Sequence, residues 1–160
     1  MREPDPIRIG SSLSATGSFW GDEGREDRHT RKPVLIACSD PANSRVIEEV
    51  IRSCMLESLI CPSAQSAQAA VARPDIALIF CDDVLPDGSY RDLLALLPRT
   101  TRKVPLVVVL SGENRDRTYR EAMEQGAFDV IVSPCSKQDV QWVVIRAMDL
   151  AQLARTSSRT

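Results

Sequence analysis

Histidine is nearly absent. His29 stands alone in a polar stretch, so the chain has no means to build a His-based zinc site or a Ser-His-Asp triad. The five cysteines, Cys38, Cys54, Cys61, Cys81 and Cys135, form no CxxC pair and no Cys/His ligand spacing. Glycine is sparse, and no G-x-G-x-x-G or G-x-x-x-x-G-K-S run follows any strand-like segment, which argues against dinucleotide or nucleoside triphosphate binding. The first strand-end loop, Ser39-Asp40-Pro41, is not the hydroxyl-rich, glycine-containing loop that a flavin would want. Charge of one sign is also lacking: a net charge of −2 leaves no electrostatic footprint for nucleic acid or an anionic membrane. No apolar run approaches the roughly 18 residues that span a bilayer. The opening MREPDPIRIG lacks the basic-then-apolar order of a secretory signal. The expectation is a cytoplasmic protein with no membrane and no nucleic-acid partner, its cysteines reduced and packed as small hydrophobes.

What is present is one domain's worth of core, since 43% of 160 residues are apolar. Residues 1–32 are rich in Gly, Ser and charges of both signs and read as a flexible N-terminal arm, with Phe19 and Trp20 as its aromatic exceptions. Regular patterning starts at Pro33 and defines a domain over 33–155, with 156–160 a polar tail. Val34 to Cys38 is continuously apolar, as expected of a strand covered on both faces. Asn43 or Ser44 can cap a helix whose apolar positions Val46, Ile47, Val50, Ile51, Cys54 and Met55 follow helical spacing. A weaker strand over Ser58–Cys61 and an Ala-rich helix over Ala64–Ala72, stopped by Pro74, come next. Ile76–Cys81 is a strand, and Tyr90, Leu93, Leu94 and Leu97 make a short helix. Val104–Leu110 is a buried strand, Arg115–Gln125 a strongly charged helix stopped by Gly126, and Val130–Val132 the fifth strand. Ser136-Lys137-Gln138-Asp139 has the form of a capping box and opens a final helix.

Strands alternating with helices predict an α/β fold, a doubly wound five-stranded parallel sheet with helices on both faces. The common strand order for this class is 2-1-3-4-5, which brings the carboxyl ends of the first and third strands together at the switch point where ligands collect. Asp40 and Asp82 would then be neighbours. Asp83 should point away from Asp82 by strand alternation and be solvated.

The most informative stretch is Pro74–Gly88, an apolar strand opening into Asp82 and Asp83 and then the turn Leu85-Pro86-Asp87-Gly88. Cys81-Asp82-Asp83-Val84-Leu85-Pro86, then Ser111-Gly112, then Gly126-Ala127-Phe128-Asp129 with Ser133-Pro134, resemble the receiver domain of two-component response regulators. The resemblance covers Pro33 to about Leu153 and implies the flavodoxin-like receiver fold. It also implies a phosphorelay role in which an aspartate takes a phosphoryl group from a histidine kinase or a histidine phosphotransfer protein. By motif position the acceptor is Asp82, four residues before Pro86, and Ser111 hydrogen-bonds the phosphoryl oxygens. Mg²⁺ would be held by Asp82, Asp40 and the backbone carbonyl of Val84.

The chain departs from that family pattern in two places. Cys38 and Ser39 stand where the family carries an acidic pair, with Asp40 one residue late, which weakens the Mg²⁺ site. Ser133 stands where the family carries a lysine; Lys137, at the start of the last helix, is poorly placed to reach back. Loss of a charge-assisted contact weakens phosphoryl transfer by about 1.5–3 kcal/mol rather than forbidding it.

Plainer roles exist for each residue. Asp82 can terminate a strand, Ser111 satisfy a turn, Asp40 favour a helix dipole, and Asp87-Gly88 form a turn. Cys38 and Cys135 lie near the pocket, without a cation to make their thiols acidic. Two functions follow. One is a stand-alone response regulator phosphorylated on Asp82; the other is a pseudo-receiver that binds a protein whether or not phosphate is present. An enzyme acting on a diffusible substrate has no catalytic constellation behind it. In the family, the face of helix four, strand five and helix five docks partners or a second copy; here it would carry Arg115, Arg117, Arg120, Glu121 and Glu124.

Overall fold

The computed structural model describes the backbone of residues 32–97 and 104–158, and side chains through residue 150. The expected arm, Phe19, Trp20 and His29 among it, and the end of the tail lie outside the described residues.

Five short strands form one parallel sheet: β1 (Pro33–Ala37), β2 (Glu57–Ile60), β3 (Leu78–Asp82), β6 (Leu106–Leu110) and β7 (Asp129–Val132). Their order is β2-β1-β3-β6-β7. That is the expected 2-1-3-4-5 once a small separate hairpin, β4 (Val84–Leu85) with β5 (Gly88–Ser89), is set aside. Every residue of β1, β3 and β6 is buried, because helices cover both faces and no polar alternation is needed.

Helices α1 (Pro41–Ser53) and α5 (Lys137–Ser158) cover one face, and α2 (Ala64–Val71), α3 (Tyr90–Leu96) and α4 (Arg115–Glu124) the other. Strand alternation sorts the core accordingly. Val34, Ile36, Phe80, Val107 and Val109 pack with Ile47, Ile51, Val140 and Val144, whereas Leu35, Ile79, Cys81, Val108 and Leu110 pack with Ala67, Leu93 and Ala122. Among the described residues no helix is long and apolar enough to cross a membrane.

The helix starts differ in one instructive way from expectation. Asp40, not Asn43 or Ser44, caps α1: its carboxylate accepts the Ala42 amide at 2.9 Å and Pro41 occupies the first turn. Proline suits that position because its missing N–H would have no helical partner. Asn43 and Ser44 are instead buried inside α1. At the other end of the chain, the Asp139 amide donates to Ser136 Oγ at 3.1 Å, as the box-like sequence predicts. The β4–β5 hairpin was not legible as strand, being two residues a side; its Asp87 carboxylate accepts the amides of Ala64 and Gln65 at 2.6 and 3.0 Å and so holds the start of α2. Those amides hold the Asp87 carboxyl below the usual carboxylate range. Asp87 is therefore more than a turn residue.

Candidate functional site

The first and third strands do lie side by side, with Ala37 paired to Cys81. This sets Cys38-Ser39-Asp40 beside Asp82 at the carboxyl edge of the sheet. Asp82 ends β3 and faces the α1/α5 side; it is only 4% exposed. Its Oδ2 accepts the Ser39 amide at 2.8 Å and the Ser39 hydroxyl at 3.2 Å, and the Cys38 thiol lies beside the carboxylate. Oδ1 is buried with no partner. Burial raises the Asp82 pKa above the ordinary carboxylate value; the Ser39 hydrogen bonds and the neighbouring Cys38 thiol oppose the shift, and the nearby charge of Asp83 adds to it.

Asp83 departs from expectation. It points to the opposite face, as alternation requires, but it is buried rather than solvated. The ladder continues one residue past β3, since the Asp83 amide donates to the Val109 carbonyl at 2.9 Å. That register carries the Asp83 side chain to Ser111, two residues beyond Val109. Ser111 Oγ donates to Asp83 Oδ1 at 2.8 Å, the Ser111 amide to Oδ2 at 3.3 Å, and the Val84 amide to Oδ1 at 2.9 Å. The expected engagement of Ser111 with the Asp82 side of the pocket is therefore absent: its hydroxyl and amide both serve Asp83.

Asp40 does not join Asp82 either, because its carboxylate is turned to the α1 amide that it caps. Val84 follows Asp83 with its side chain 67% exposed. Ser133, at the position of the family lysine, is tied down from across the sheet. Its Oγ accepts Asn43 Nδ2 at 2.9 Å, while Asn43 Oδ1 accepts the Cys135 amide at 3.1 Å. The Ser133–Pro134 peptide bond is cis. Lys137 is engaged elsewhere, in an ion pair with Glu49 at 2.8 Å. A cation does stand on the rim: the Arg115 guanidinium donates to the Ser133 carbonyl at 3.4 Å. Sequence reasoning took Asn43 for a helix cap and missed its bridge to Ser133 and Cys135, and read Ser39 only as a lost acid when it is the chief partner of Asp82.

Two thiols, Cys38 and Cys135, lie on the Asp82 side of the sheet, and a third, Cys81, points to the opposite face and donates to the Asp82 backbone carbonyl at 3.3 Å. Cys38, Cys81 and Cys135 are all buried. Burial, then the negative charge of Asp82, pushes each thiol up, Cys135 to about 11 and the other two further. They stay protonated at neutral pH and act as packing and weak donors, not nucleophiles.

A Mg²⁺ ion does not fit this arrangement well. Mg²⁺ takes oxygen ligands in octahedral geometry and keeps several waters. Here one oxygen of Asp82 is occupied by Ser39 and the other is closed off from solvent. Among the described residues no group of three His, Cys, Asp or Glu side chains is placed to hold a metal.

Comparison with known proteins agrees with the fold and with the motifs. The response regulator receiver domain family matches residues 34–144. The DNA-binding transcriptional regulator NtrC of Rhizobium meliloti is 27% identical over 119 residues, which are 74% of this chain and 24% of that protein. The two-component response regulator ORR5 of Oryza sativa subsp. japonica is 26% identical over 120 residues, 72% of this chain and 89% of that protein. The chain thus spans about a quarter of the length of its NtrC relative, and likewise 27% of the response regulator PilR of Pseudomonas aeruginosa. Among solved structures, a CheY-like receiver domain protein of Methanospirillum hungatei superposes with a TM-score of 0.69 at 18% identity, covering 78% of this chain and 98% of that one. NtrX of Brucella abortus gives 0.69 at 24% identity, covering 81% and 29%. A five-stranded doubly wound sheet with an aspartate at the mouth of its third strand defines the receiver class. The chain belongs to the response regulator receiver domain family. Receiver domains in general bind Mg²⁺ at an acidic pocket and interact with histidine kinases or phosphotransfer proteins.

Proposed function

We propose that this receiver domain serves cytoplasmic signal transduction as a protein-binding module whose binding face does not depend on a phosphoryl group, and that it is not an enzyme. The observation that carries this reading is the state of Asp82. Its carboxylate is closed off, bonded through one oxygen to Ser39, flanked by the neutral thiols of Cys38 and Cys135, and has Ser111 turned away from it. Attack on phosphorus gathers negative charge that fixed cations and donors must offset. The acid pair and lysine that supply this in the family are Cys38, Ser39 and Ser133 here.

By family analogy the binding face is that of α4, β7 and α5. It carries exposed apolar side chains, Tyr119, Met123, Val132, Trp142 and Ile145, that nothing in the core requires to be apolar. Along α4 runs a groove of about 530 Å³ lined by Asp116, Tyr119, Arg120, Met123 and Glu124. The partner on this reading is another signalling protein or a second copy of the chain.

One observation favours the other reading, in which a histidine kinase or phosphotransfer protein phosphorylates Asp82. Oδ1 is a buried oxygen with no donor, on the residue four before Pro86, and such an atom usually has a partner. Beryllofluoride with millimolar Mg²⁺, followed by two-dimensional NMR, separates the two. The expected result is an unchanged spectrum. A perturbation centred on Asp82 and lost in Asp82→Asn overturns the proposal in favour of phosphorylation.

A further inference from the structure

Ser111 presents two donors, its amide and its hydroxyl, converging on the two oxygens of one carboxylate, Asp83. Such a convergent pair is a seat for an anion at the mouth of β6, and a side chain of the protein already fills it. The turn it belongs to leads straight into α4, and that helix start is otherwise weakly held. Asn114, its capping residue, makes no side-chain hydrogen bond to the helix. The bond from Arg115 to the Ser133 carbonyl is long, at 3.4 Å, and exposed. Asp83 itself is fixed, 7% exposed, with the Val84 amide on Oδ1 as a further restraint. The aromatic Tyr90 lies close enough for its hydroxyl to feel the Asp83 charge. Gly112 leaves the carboxylate room, since even an added Cβ there would stand 3.6 Å from Oδ2.

From this we infer that Asp83 is an internal anion that holds Ser111, and through it the 111–114 turn and the start of α4, in one position without any external phosphoryl group. This rests on the phosphate-independent reading above for its consequence: Asp83 is the positioning residue that keeps the α4 side of the binding face formed. Any external anion that needs the Ser111 donors must first displace Asp83.

Amide hydrogen exchange read residue by residue tests it. Asp83→Ala and Ser111→Ala are each expected to speed exchange over residues 111–118 by about tenfold, the loss of one or two hydrogen bonds to a charged group. The α5 amides should be unchanged. The double variant should show no more than Asp83→Ala alone, because that change already removes both contacts between Ser111 and the carboxylate. Asp83→Asn keeps one acceptor oxygen but loses the charge and sets its NH2 against the Ser111 or the Val84 amide, so it is expected to restore only part of the protection. Unchanged exchange over 111–118 in Asp83→Ala, or full protection in Asp83→Asn, overturns the inference. A beryllofluoride response in the wild-type chain would instead sink the phosphate-independent reading while leaving the Asp83–Ser111 exchange result standing, so the two failures are distinguishable.

Discussion

Two adjacent aspartates at the end of one strand have opposite fates. Asp82 takes both Ser39 donors on one oxygen and leaves the other buried without a partner, whereas Asp83 takes the Ser111 donors on both its oxygens. The cost of ionising Asp82 in place makes its pKa higher in the fold than in the unfolded chain. The sign follows: the folded protein binds that proton more tightly, so the residue favours folding below the unfolded carboxylate pKa of about 4 and loses this contribution as pH rises through the raised folded value. Asp82→Asn removes the buried charge and keeps an oxygen for Ser39. It is expected to stabilise the domain by about 1 kcal/mol at pH 7, with the gain shrinking toward zero as pH falls below about 4. Urea melts of both proteins at pH 7 and pH 3.5 check this. Equal stability at pH 7, or a gain that grows in acid, contradicts the burial argument.

At the scale of elements, the hairpin after β3 shows why a turn sequence can be structural and not idle. Leu85-Pro86-Asp87-Gly88 lets Asp87 hold the start of α2, while Ser89 opens α3: its Oγ accepts the Arg91 amide at 3.2 Å and its own amide donates to Asp92 Oδ2 at 3.0 Å. Gly88 lies where these helices meet. A Cβ there would come within 2.9 Å of Ala64 Cβ and collide with the Asp92 carboxylate. Gly88→Ala therefore drives α2 and α3 apart and disturbs the α3 cap, with an expected loss of about 2 kcal/mol. The measurement is the denaturation midpoint. An unchanged midpoint means that the hairpin yields and does not hold the two helices. Helix α4 is tied to α3 differently, through the ion pair of Glu121 with Arg91, while Arg117 pairs with the same Glu121 from within α4. Those charges are partly exposed and contribute little each; the run of charge on α4 is largely a solvated face, as its sequence suggested.

For the whole molecule, the sheet's inner strands are the last part expected to open. Cys81 sits on β3 and Cys38 directly follows β1, both with thiols held protonated, while Cys54 at the end of α1 is half-buried. Alkylation at pH 8 should therefore modify Cys54 first and reach Cys38 and Cys81 only through global unfolding, in step with the denaturant transition. Mass spectrometry after timed iodoacetamide treatment reads this out. Labelling of Cys38 well below the transition implies a pocket that opens locally, and would reopen the case for chemistry at Asp82.

The architecture was legible because it rests on short-range pattern. Continuous apolar runs of five residues demand cover on both faces, and helical spacing on the segments between supplies it, so the strand order follows from short right-handed crossovers. The motif around Asp82 and Pro86 likewise marks the receiver family from local sequence. Element ends were less legible, since Asp40 and Pro41 start α1 earlier than the buried Asn43 and Ser44 would suggest. The site was only half visible. That Asp82 and Ser39 meet depends on the β1–β3 pairing; that Asp83, and not Asp82, takes Ser111 depends on how far the β3–β6 ladder runs; that Asn43 bridges to Ser133 and Cys135 depends on residues some 90 positions apart. Composition and periodicity determined the fold because burying apolar surface is a demand each segment makes on its own. Only the tertiary structure decided which carboxylate received which donors, because a hydrogen bond needs two groups within about 3 Å, and that distance is set by the register of strands far apart in the chain.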